Sequence, residues 1–515
     1  MAEFDLFRVT INTNDRIDKD RANSSTPAKI FSATIKDAGK PFHGVAKVTL
    51  ASGDEDLERL HNCAETHRLL DHQRHITQIF GMHEITKTDL FGTEKRFILL
   101  MEKAEGSVRD LIDPKTPEMD ALRRKLFGKM SHQEILRQTA DGLAYIHSKT
   151  DSNSNYISHR DVKPGNLLIF PRDRDGAYNI KYTDFDSSKE LTVDSNKVSS
   201  VRLTPQYLDP NIEEIKAKGG EVSIKDYLAG DVFSCGLVFF EVLTPDGRYM
   251  FKGIIKPDQT NLMNAKVDEL GRNMIMIMTW PDPKGRPQMV QVLKLPYFMN
   301  VNDHLQNWNA ITQVIQDFDD SPESNAMKDD LEDSFFMVFE EPWQDKPYVV
   351  EAILLFNMRN PAKPNKPPKT TLWQLIRLLR NMFIHAQQHK QALKDHFGVE
   401  VSALDILREV LKPDGSPRVL MHLYWFAQRR LSDVKELKFI KEFPEGCVVA
   451  YEKLMEHEKD KIEKNGGMDA LRVKCQLPVK SKPNVWGTRG ANITVTTSNK
   501  LTSFAFISPK KYALY

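Results

Sequence analysis

The stretch ISHRDVKPGNLLIF at residues 157–170, followed nine residues later by IKYTDFD at residues 180–186, decides the fold of this chain. The first block matches H-R-D-x-K-x-x-N at every specified position, which makes it a specific pattern rather than a chance tripeptide. The second block ends in two aspartates that flank a phenylalanine. The chemically informative residues of the two blocks are Asp161, Lys163, Asn166 and Asp184.

These four residues are the types that phosphoryl transfer from a nucleotide requires. A carboxylate orients the attacking hydroxyl, a cation lies near the moving phosphate, and oxygen ligands hold magnesium. Asp161, Lys163 and the pair Asn166 and Asp184 supply these groups in the expected order. The stretch resembles the protein kinase family, which implies a two-lobed α+β domain that binds ATP or ADP with Mg²⁺. A kinase fold without transfer activity is the alternative.

The resemblance assigns a further pair of nucleotide-binding residues upstream. Lys47, in GVAKV, is similar to the lysine that pairs with the α and β phosphates in kinases. Its partner carboxylate is expected on the helix that follows. Glu65 is the favoured partner, and Glu58 is the competitor.

The segment RFILLMEKA, residues 96–104, predicts a buried strand that runs into the connection between the lobes. The resemblance places Met101 beside the adenine pocket and makes Glu102 to Ala104 the hinge, whose backbone would bond to adenine. Two later residues are expected to be structural. Asp231 would hold the loop at residues 157–166 by hydrogen bonds, and Arg286 would pair with a nearby acid.

Three positions depart from the kinase pattern. No glycine lies between Arg21 and Gly39, where kinases carry a glycine-rich loop over the phosphates. Asp186 stands where active kinases carry glycine, a residue that permits backbone angles an aspartate resists. LDP at residues 208–210 replaces the usual A-P-E. These departures favour weak phosphoryl transfer.

Length and composition limit the remaining possibilities. At 515 residues the chain exceeds one ordinary domain, and about three domains are expected. A net charge of +1 creates no overall field, so any nucleic-acid site must be a local patch. The 4 cysteines form no CxxC pair, which favours a reducing, cytoplasmic location. No secretory signal or long apolar run is found, so no membrane segment is expected.

The stretch TLWQLIRLLRNMFIHAQQH, residues 371–389, predicts an amphipathic helix. Asn381 and His385 are four residues apart on the face opposite the apolar side chains, and Arg380 flanks them. RNA cleavage by its own 2′-hydroxyl needs a proton acceptor, a proton donor and a cation for the phosphate oxygens. Histidine and arginine suit the last two roles. An ordinary solvated helix face has the same pattern, so the helix alone does not decide between the two.

Residues 297–459 resemble the KEN ribonuclease domain, which in its family directly follows a kinase lobe and carries its active site on such a helix. The resemblance implies an all-helical domain, RNA as substrate, and activation by self-association into a homodimer or higher oligomer. Two positions depart from the family. Pro367 stands where it has a catalytic tyrosine, and Gln374 stands where it has an aspartate.

The favoured hypothesis is a nucleotide-bound, kinase-like switch that dimerises and cleaves RNA. A serine/threonine kinase whose helical domain only mediates association is the first alternative, and a pseudokinase scaffold is the second. The intact kinase residues argue against the scaffold, whereas the missing tyrosine argues for it. The expected segments are a polar lead-in (1–28), an N-lobe (29–103) and C-lobe (104–296) forming the kinase-like domain (29–296), a KEN-type domain (297–459) and a C-terminal extension (460–515).

Overall fold

A computed structural model describes most of the first 317 residues and a helical region near the C-terminus. The described residues are 3–6, 9–17, 28–36, 41–70, 72–89, 92–150, 156–172, 176–187, 204–244, 267–317, 327, 331–332, 372–373, 376–377, 380, 391, 394, 417–444 and 446–474. The chain divides into two compact units. The first comprises residues 1–300 with 438–452, and the second comprises residues 301–437 with 453–515.

The first unit begins with a six-stranded antiparallel sheet of order β1-β2-β3-β4-β6-β5. Its strands are β1 (Glu3–Leu6), β2 (Val9–Arg16), β3 (Ala28–Lys36), β4 (Pro41–Ala51), β5 (Ile79–Asp89) and β6 (Gly92–Glu102). Side chains of β6 alternate between two apolar clusters, with Ile98 and Leu100 in one and Phe97, Leu99 and Met101 in the other. Both faces of β6 are covered along residues 97–101, and these residues form a continuous apolar run.

The first two strands correct the expectation of a polar lead-in over residues 1–28. Val9 and Ile11 alternate with polar residues, as on a half-buried strand, and both are buried in the sheet core. Strand β2 pairs with β3, where Val9 faces Ile35. The alternation is short and bounded by polar residues, so the composition of residues 1–28 did not predict a strand there.

Helix α1 (Asp54–Leu70) packs on the face of the sheet that carries Phe97 and Leu99. Its buried residues recur at helical spacing. They are Leu60, Cys63, Ala64, Thr66, His67 and Leu70. Asp54, Glu55 and Asp56 fill the first turn, where carboxylates interact favourably with the positive end of the helix dipole.

The second lobe of this unit is built from helices and a three-stranded sheet of order β7-β8-β9. The strands are β7 (Gly106–Ser107), β8 (Leu167–Pro171) and β9 (Tyr178–Tyr182). The helices are α2 (Val108–Ile112), α3 (Pro117–Phe127), α4 (His132–Ser148), α5 (Pro210–Ala217), α6 (Ile224–Leu243), α7 (Glu269–Met278) and α8 (Met289–Val292). Every residue of α6 from Gly230 to Val242 is buried, so α6 is the central helix of the lobe.

Helix α4 lies against strand β9 at a glycine. A Cβ atom on Gly142 would lie 2.8 Å from ring atoms of Tyr182 and 3.1 Å from the Cβ of His75. Beside it, the Gln138 side chain donates to the Tyr178 carbonyl at 3.1 Å and accepts from the Ile180 N–H at 2.8 Å. The close approach fixes β9, and therefore the aspartates that follow it, against the helix.

The remaining described helices are α9 (Val301–Asp317), α10 (Pro417–Arg430), α11 (Gly446–Lys464) and α12 (Gly467–Lys474). Helices α9 and α10 pack through a buried pair in which His304 Nδ1 lies 2.9 Å from the Tyr424 hydroxyl. All regular structure among the described residues of the second unit is helical. For the rest of that unit, the all-helical architecture stays a prediction.

Within the described ranges, none of the helices is both long enough and apolar enough to cross a membrane.

Candidate functional site

A cavity of about 310 Å³ lies between the two lobes of the first unit. Its walls come from β3, β4, α1 and β6 on one side, and from the segments that precede β8 and follow β9 on the other. Six residues predicted from the sequence to bind nucleotide line it together. They are Lys47, Met101, Glu102, Ala104, Asn166 and Asp184.

The hinge end of the cavity is largely apolar. Val45, Leu99 and Met101 line it, and Met101 is buried. The Glu102 carboxylate accepts hydrogen bonds from Lys181 Nζ at 2.7 Å and from the Gln78 N–H at 2.7 Å. The charge of Glu102 is paired in this way, and Val45, Leu99 and Met101 give this end an apolar wall suited to a planar base.

The polar end of the cavity is organised around Lys47 of β4. Its Nζ donates to Asp184 Oδ1 at 2.7 Å and to Asp186 Oδ2 at 2.6 Å. Burial opposes the charge on Lys47, but the two carboxylates outweigh burial and raise the pKa of Lys47. The ammonium group is therefore held in its charged form.

The two aspartates respond differently to the same lysine. Burial works against ionised Asp184, but the charge of Lys47 outweighs it and holds the pKa of Asp184 well below its ordinary value. Burial together with the charge of Asp184 raises the pKa of Asp186, against the pull of Lys47. Both side chains are about one third exposed, at 33% and 35%, so solvent weakens these interactions.

The expected pair between Lys47 and Glu65 is corrected by the structure. Glu65 lies on the exposed face of α1, where its carboxylate is 3.7 Å from Arg68, and Glu58 is exposed as well. The face of α1 that lines the cavity carries Leu60, Cys63, Ala64 and His67. The helical repeat decides which side chains of α1 face the cavity, and neither Glu58 nor Glu65 is on that face.

The segment after β9 shows how an aspartate replaces glycine. Asp184 has a φ of 67°. Asp186 lies in a 3-10 helix, Phe185–Ser187, and its φ is not positive. Phe185 is buried between the rings of His67 and His159, with centroids 4.6 and 4.9 Å away. A helical turn at residue 186 requires no glycine, so the expected backbone conflict does not arise.

Asn166 lines the cavity, and its side chain is bonded to Asp161 in the same loop. The Asn166 side-chain N–H₂ donates to the Asp161 carbonyl at 2.9 Å and to Asp161 Oδ2 at 3.0 Å. Lys163 Nζ donates to Asp161 and, at 2.9 Å, to the Thr204 hydroxyl. Thr204 in turn donates to Asp161 Oδ1 at 2.7 Å. Thr204 was not predicted from the sequence, because 43 residues separate it from Asp161 and no motif has that spacing.

Asp231 holds the loop as expected. Its carboxylate accepts from the backbone N–H groups of His159 and Arg160 and from the Ser158 hydroxyl, each at 2.7 Å. Arg160, with a φ of 66°, is one of the two non-glycine residues with positive φ in the described chain. Hydrogen bonds donated to the buried Asp231 carboxylate offset the cost of that conformation.

Arg286 pairs with Asp209, and this contact explains the altered A-P-E. The two side chains are almost fully buried and joined by two hydrogen bonds of 2.5 and 3.0 Å. Asp209 belongs to the LDP at residues 208–210, so the acid that pairs with the arginine is retained there in a shorter form.

In the second unit, Arg380 is the member of the predicted catalytic set Arg380, Asn381 and His385 that the structure describes. Arg380 donates through Nε to Asn309 Oδ1 at 3.1 Å and through an η nitrogen to Gln313 Oε1 at 2.6 Å. Leu372 and Ile376 of the same stretch are buried, in agreement with the predicted apolar face. Asn381, His385, Pro367 and Gln374 lie outside the described residues.

A two-lobed domain that gathers this lysine, loop and paired aspartates around one interlobe cavity is of the kinase class. The chain belongs to the protein kinase family, since the family model described as protein kinase domain matches residues 30–298, just over half of the chain. The kinase part of the resemblance is confirmed by this match. The KEN part is not covered by it.

Several curated proteins are similar to this chain. The probable serine/threonine-protein kinase CCRP1 of Zea mays is 28% identical over 217 residues, covering 41% of this chain and 30% of the relative. The serine/threonine-protein kinase/endoribonuclease IRE2 of Homo sapiens is 26% identical over 243 residues, covering 44% and 23%. The serine/threonine-protein kinase/endoribonuclease ire-1 of Caenorhabditis elegans is 23% identical over 386 residues, covering 72% and 35%. The chain thus spans 23–35% of these relatives' lengths.

Proposed function

We propose that this protein binds ATP or ADP with Mg²⁺ in its kinase domain and, when self-associated, cleaves RNA without using a metal. The observation that carries the proposal is the placement of Arg380, which belongs to the Arg-Asn-x-x-x-His pattern and is held on a helix that follows a kinase domain. The alignment with the kinase/endoribonuclease ire-1 supports it. Because it covers 72% of the chain, it must extend beyond residue 298.

The cavity residues fit a magnesium nucleotide. Asp184 offers a carboxylate and Asn166 an amide oxygen, both ligands that magnesium accepts. Since the Asn166 N–H₂ group donates to Asp161, the amide is oriented by a bond that leaves Oδ1 for a metal. Lys47 would contact the phosphates, and the apolar wall with the Glu102 to Ala104 hinge would hold the base.

The chemistry proposed for the second unit is transfer of a phosphodiester within RNA. The 2′-oxygen attacks the adjacent phosphorus, the bond to the 5′-oxygen breaks, and the product carries a 2′,3′-cyclic phosphate. His385 would donate a proton to the leaving 5′-oxygen, Arg380 would bind the phosphate oxygens, and Asn381 would orient the group. The acceptor of the 2′-hydroxyl proton comes from elsewhere in the domain or from a paired subunit.

The partners of Arg380 suit this role. Asn309 and Gln313 are neutral amides one helical turn apart on α9, and their side-chain oxygens accept from the guanidinium group and orient its plane.

One assay of RNA cleavage by the purified full chain, with and without ADP and magnesium, tests the proposal. We expect cleavage in the wild type and a loss of at least about 100-fold in Arg380→Ala and in His385→Ala, because each removes a group that acts in the transition state. Arg377→Ala is the matched control, since Arg377 is exposed on the same helix one turn away and should keep full activity. All three variants should bind ADP as the wild type does.

The products and the metal requirement complete the test. Products should end in 2′,3′-cyclic phosphate, and chelation of magnesium should not stop concentrated, nucleotide-free protein. Equal cutting by His385→Ala and the wild type, or products with a 3′-hydroxyl, would refute the ribonuclease proposal.

A serine/threonine kinase whose second unit only mediates association is the second candidate. The bonded set of Asp161, Lys163 and Thr204 favours it, as does Pro367 in place of the family tyrosine. Labelled ATP in the same samples separates the candidates. Incorporation that Asp161→Asn abolishes, without RNA cleavage, would support this kinase, and neither activity would leave a scaffold.

A further inference from the structure

Lys47 has two carboxylate partners, and both come from the same short segment. Asp184 lies 2.7 Å and Asp186 lies 2.6 Å from Lys47 Nζ, so the two carboxylates share one ammonium group. They are the first and last residues of the sequence Asp-Phe-Asp. In a nucleotide-bound state these two aspartates cannot be equivalent. Asp184, with Asn166, provides the oxygen ligands proposed for magnesium, and a carboxylate that binds the metal interacts less with the lysine.

Helix α1 supplies no acid to the lysine. All 17 residues of α1 are described, and those lining the cavity are Leu60, Cys63, Ala64 and His67. Cys63 is one of these inward residues, with its thiol 3.3 Å from the Asp186 carbonyl. Burial raises the pKa of the Cys63 thiol to about 12, so the group is neutral and offers Lys47 no negative charge.

We propose that Asp186 is the positioning residue that holds Lys47 toward the nucleotide phosphates, in place of an acid from α1. The inference rests on the nucleotide binding proposed above. It assigns a purpose to the aspartate that stands where active kinases carry glycine. With Asp184 on the metal, Asp186 is the carboxylate of this segment that keeps the ammonium in place.

The local structure keeps Asp186 ready for this contact. The 3-10 turn Phe185–Ser187 directs its carboxylate to Lys47 without a positive φ. Phe185, clamped between His67 and His159, anchors that turn in the core. The lysine is thus positioned by the metal-binding segment itself, and α1 contributes apolar packing and a thiol bond to a backbone carbonyl.

The test compares ADP with adenosine on the full chain, using calorimetric titration. Adenosine lacks phosphates, so its affinity does not depend on Lys47, whereas ADP affinity does. We expect Asp186→Asn to weaken ADP binding about tenfold, the scale of one charge-assisted hydrogen bond, and to leave adenosine binding unchanged. Repeating the titration of ADP without magnesium should give a smaller loss, because Asp184 is then not engaged by the metal and can still hold Lys47.

A variant that moves the acidic group from residue 186 to α1 provides the matched control. Asp186→Gly should weaken ADP binding as Asp186→Asn does, and adding Cys63→Glu to it should restore part of the affinity by supplying an acid from α1. Glu65→Gln should bind ADP as the wild type does.

The remaining outcomes overturn the inference in distinguishable ways. Unchanged ADP affinity in Asp186→Asn, or a loss in Glu65→Gln, refutes the inference while the proposed nucleotide binding stands. Equal losses for ADP and adenosine reveal a structural role instead. A wild type that binds neither ligand refutes nucleotide binding and the inference together.

Discussion

At the scale of single residues, the site is built around groups whose ordinary preferences are overridden. Arg160 and Asp184 have φ values of 66° and 67°, and they lie on either side of Asn166 in the sequence. Strained backbone of this kind persists where surrounding contacts determine it, which is common at functional sites. Asp231 supplies those contacts to Arg160, and Lys47 supplies a charged partner to Asp184.

His67 is a buried histidine whose titration should be visible in the stability of the fold. Its Nε2 lies 2.7 Å from the Thr77 carbonyl, so the neutral ring donates there. Burial lowers the pKa of His67 to about 3, against the influence of that carbonyl. The unfolded chain therefore binds the proton first, and stability is lost as the pH falls below the unfolded pKa of about 6.5.

We expect His67→Gln to reduce this acid sensitivity, since glutamine can keep a bond to the carbonyl but does not titrate. Between about pH 7.5 and about pH 5.5, the wild type should lose about 1.4 kcal/mol more unfolding free energy than the variant. Thermal unfolding at the two pH values measures the difference. Other buried histidines contribute equally to both proteins, so parallel pH profiles would show that His67 does not carry the effect.

At the scale of elements, the contact of α4 with β9 positions the segment that carries both aspartates. Gly142 permits this contact, because a Cβ there would lie 2.8 Å from the Tyr182 ring. The ring is buried and its hydroxyl donates to the Thr139 carbonyl at 3.0 Å, so it has little freedom to move.

We expect Gly142→Ala to destabilise the kinase domain by about 1–3 kcal/mol, the usual cost of overpacking a core. Gly53→Ala is the control, since a Cβ at Gly53 meets no atom within 4 Å. Thermal unfolding with and without ADP measures both. A Gly142→Ala protein as stable as the control would show that the helix and strand can separate at little cost.

The motifs in the sequence predicted which residues line the cavity. They did not predict the ion-pair partner of Lys47, which depends on which face of α1 each residue occupies. Lys47, Asn166 and Asp184 were placed in one cavity by spacing and residue type. The partner of Lys47 was not, because Glu65 and Cys63 differ by two positions on α1, which is the difference between the outer and inner face. Strands β1 and β2 were missed because four-to-eight-residue alternation in a polar segment is weak evidence.

At the scale of the whole molecule, a kinase domain and a second unit share one chain with a net charge of +1. With no general positive field, the RNA binding proposed here would require a local site such as the one that includes Arg380. In the proposed ribonuclease, one helix would supply a proton donor and a phosphate-binding group without an evident proton acceptor. Self-association would be the simplest control of such a site.

We expect the cleavage rate per molecule to rise with protein concentration, and ADP with magnesium to lower the concentration at half-maximal rate. In Asp184→Ala, ADP should have no effect on that concentration, while cleavage by concentrated protein should remain. Kinetics over a wide concentration range, with sedimentation of the same samples, measure the link. A rate per molecule that does not change with concentration would place the complete site within one chain.

The double partnership of Lys47 also bears on small-molecule inhibitors of the nucleotide cavity. Two of the three N–H bonds of its ammonium are directed at Asp184 and Asp186, so a ligand acceptor meets a donor that is already shared. A compound with a basic group near the two carboxylates would gain ion pairs that a glycine at residue 186 would not provide. Such compounds should discriminate in favour of this protein over kinases that carry glycine there.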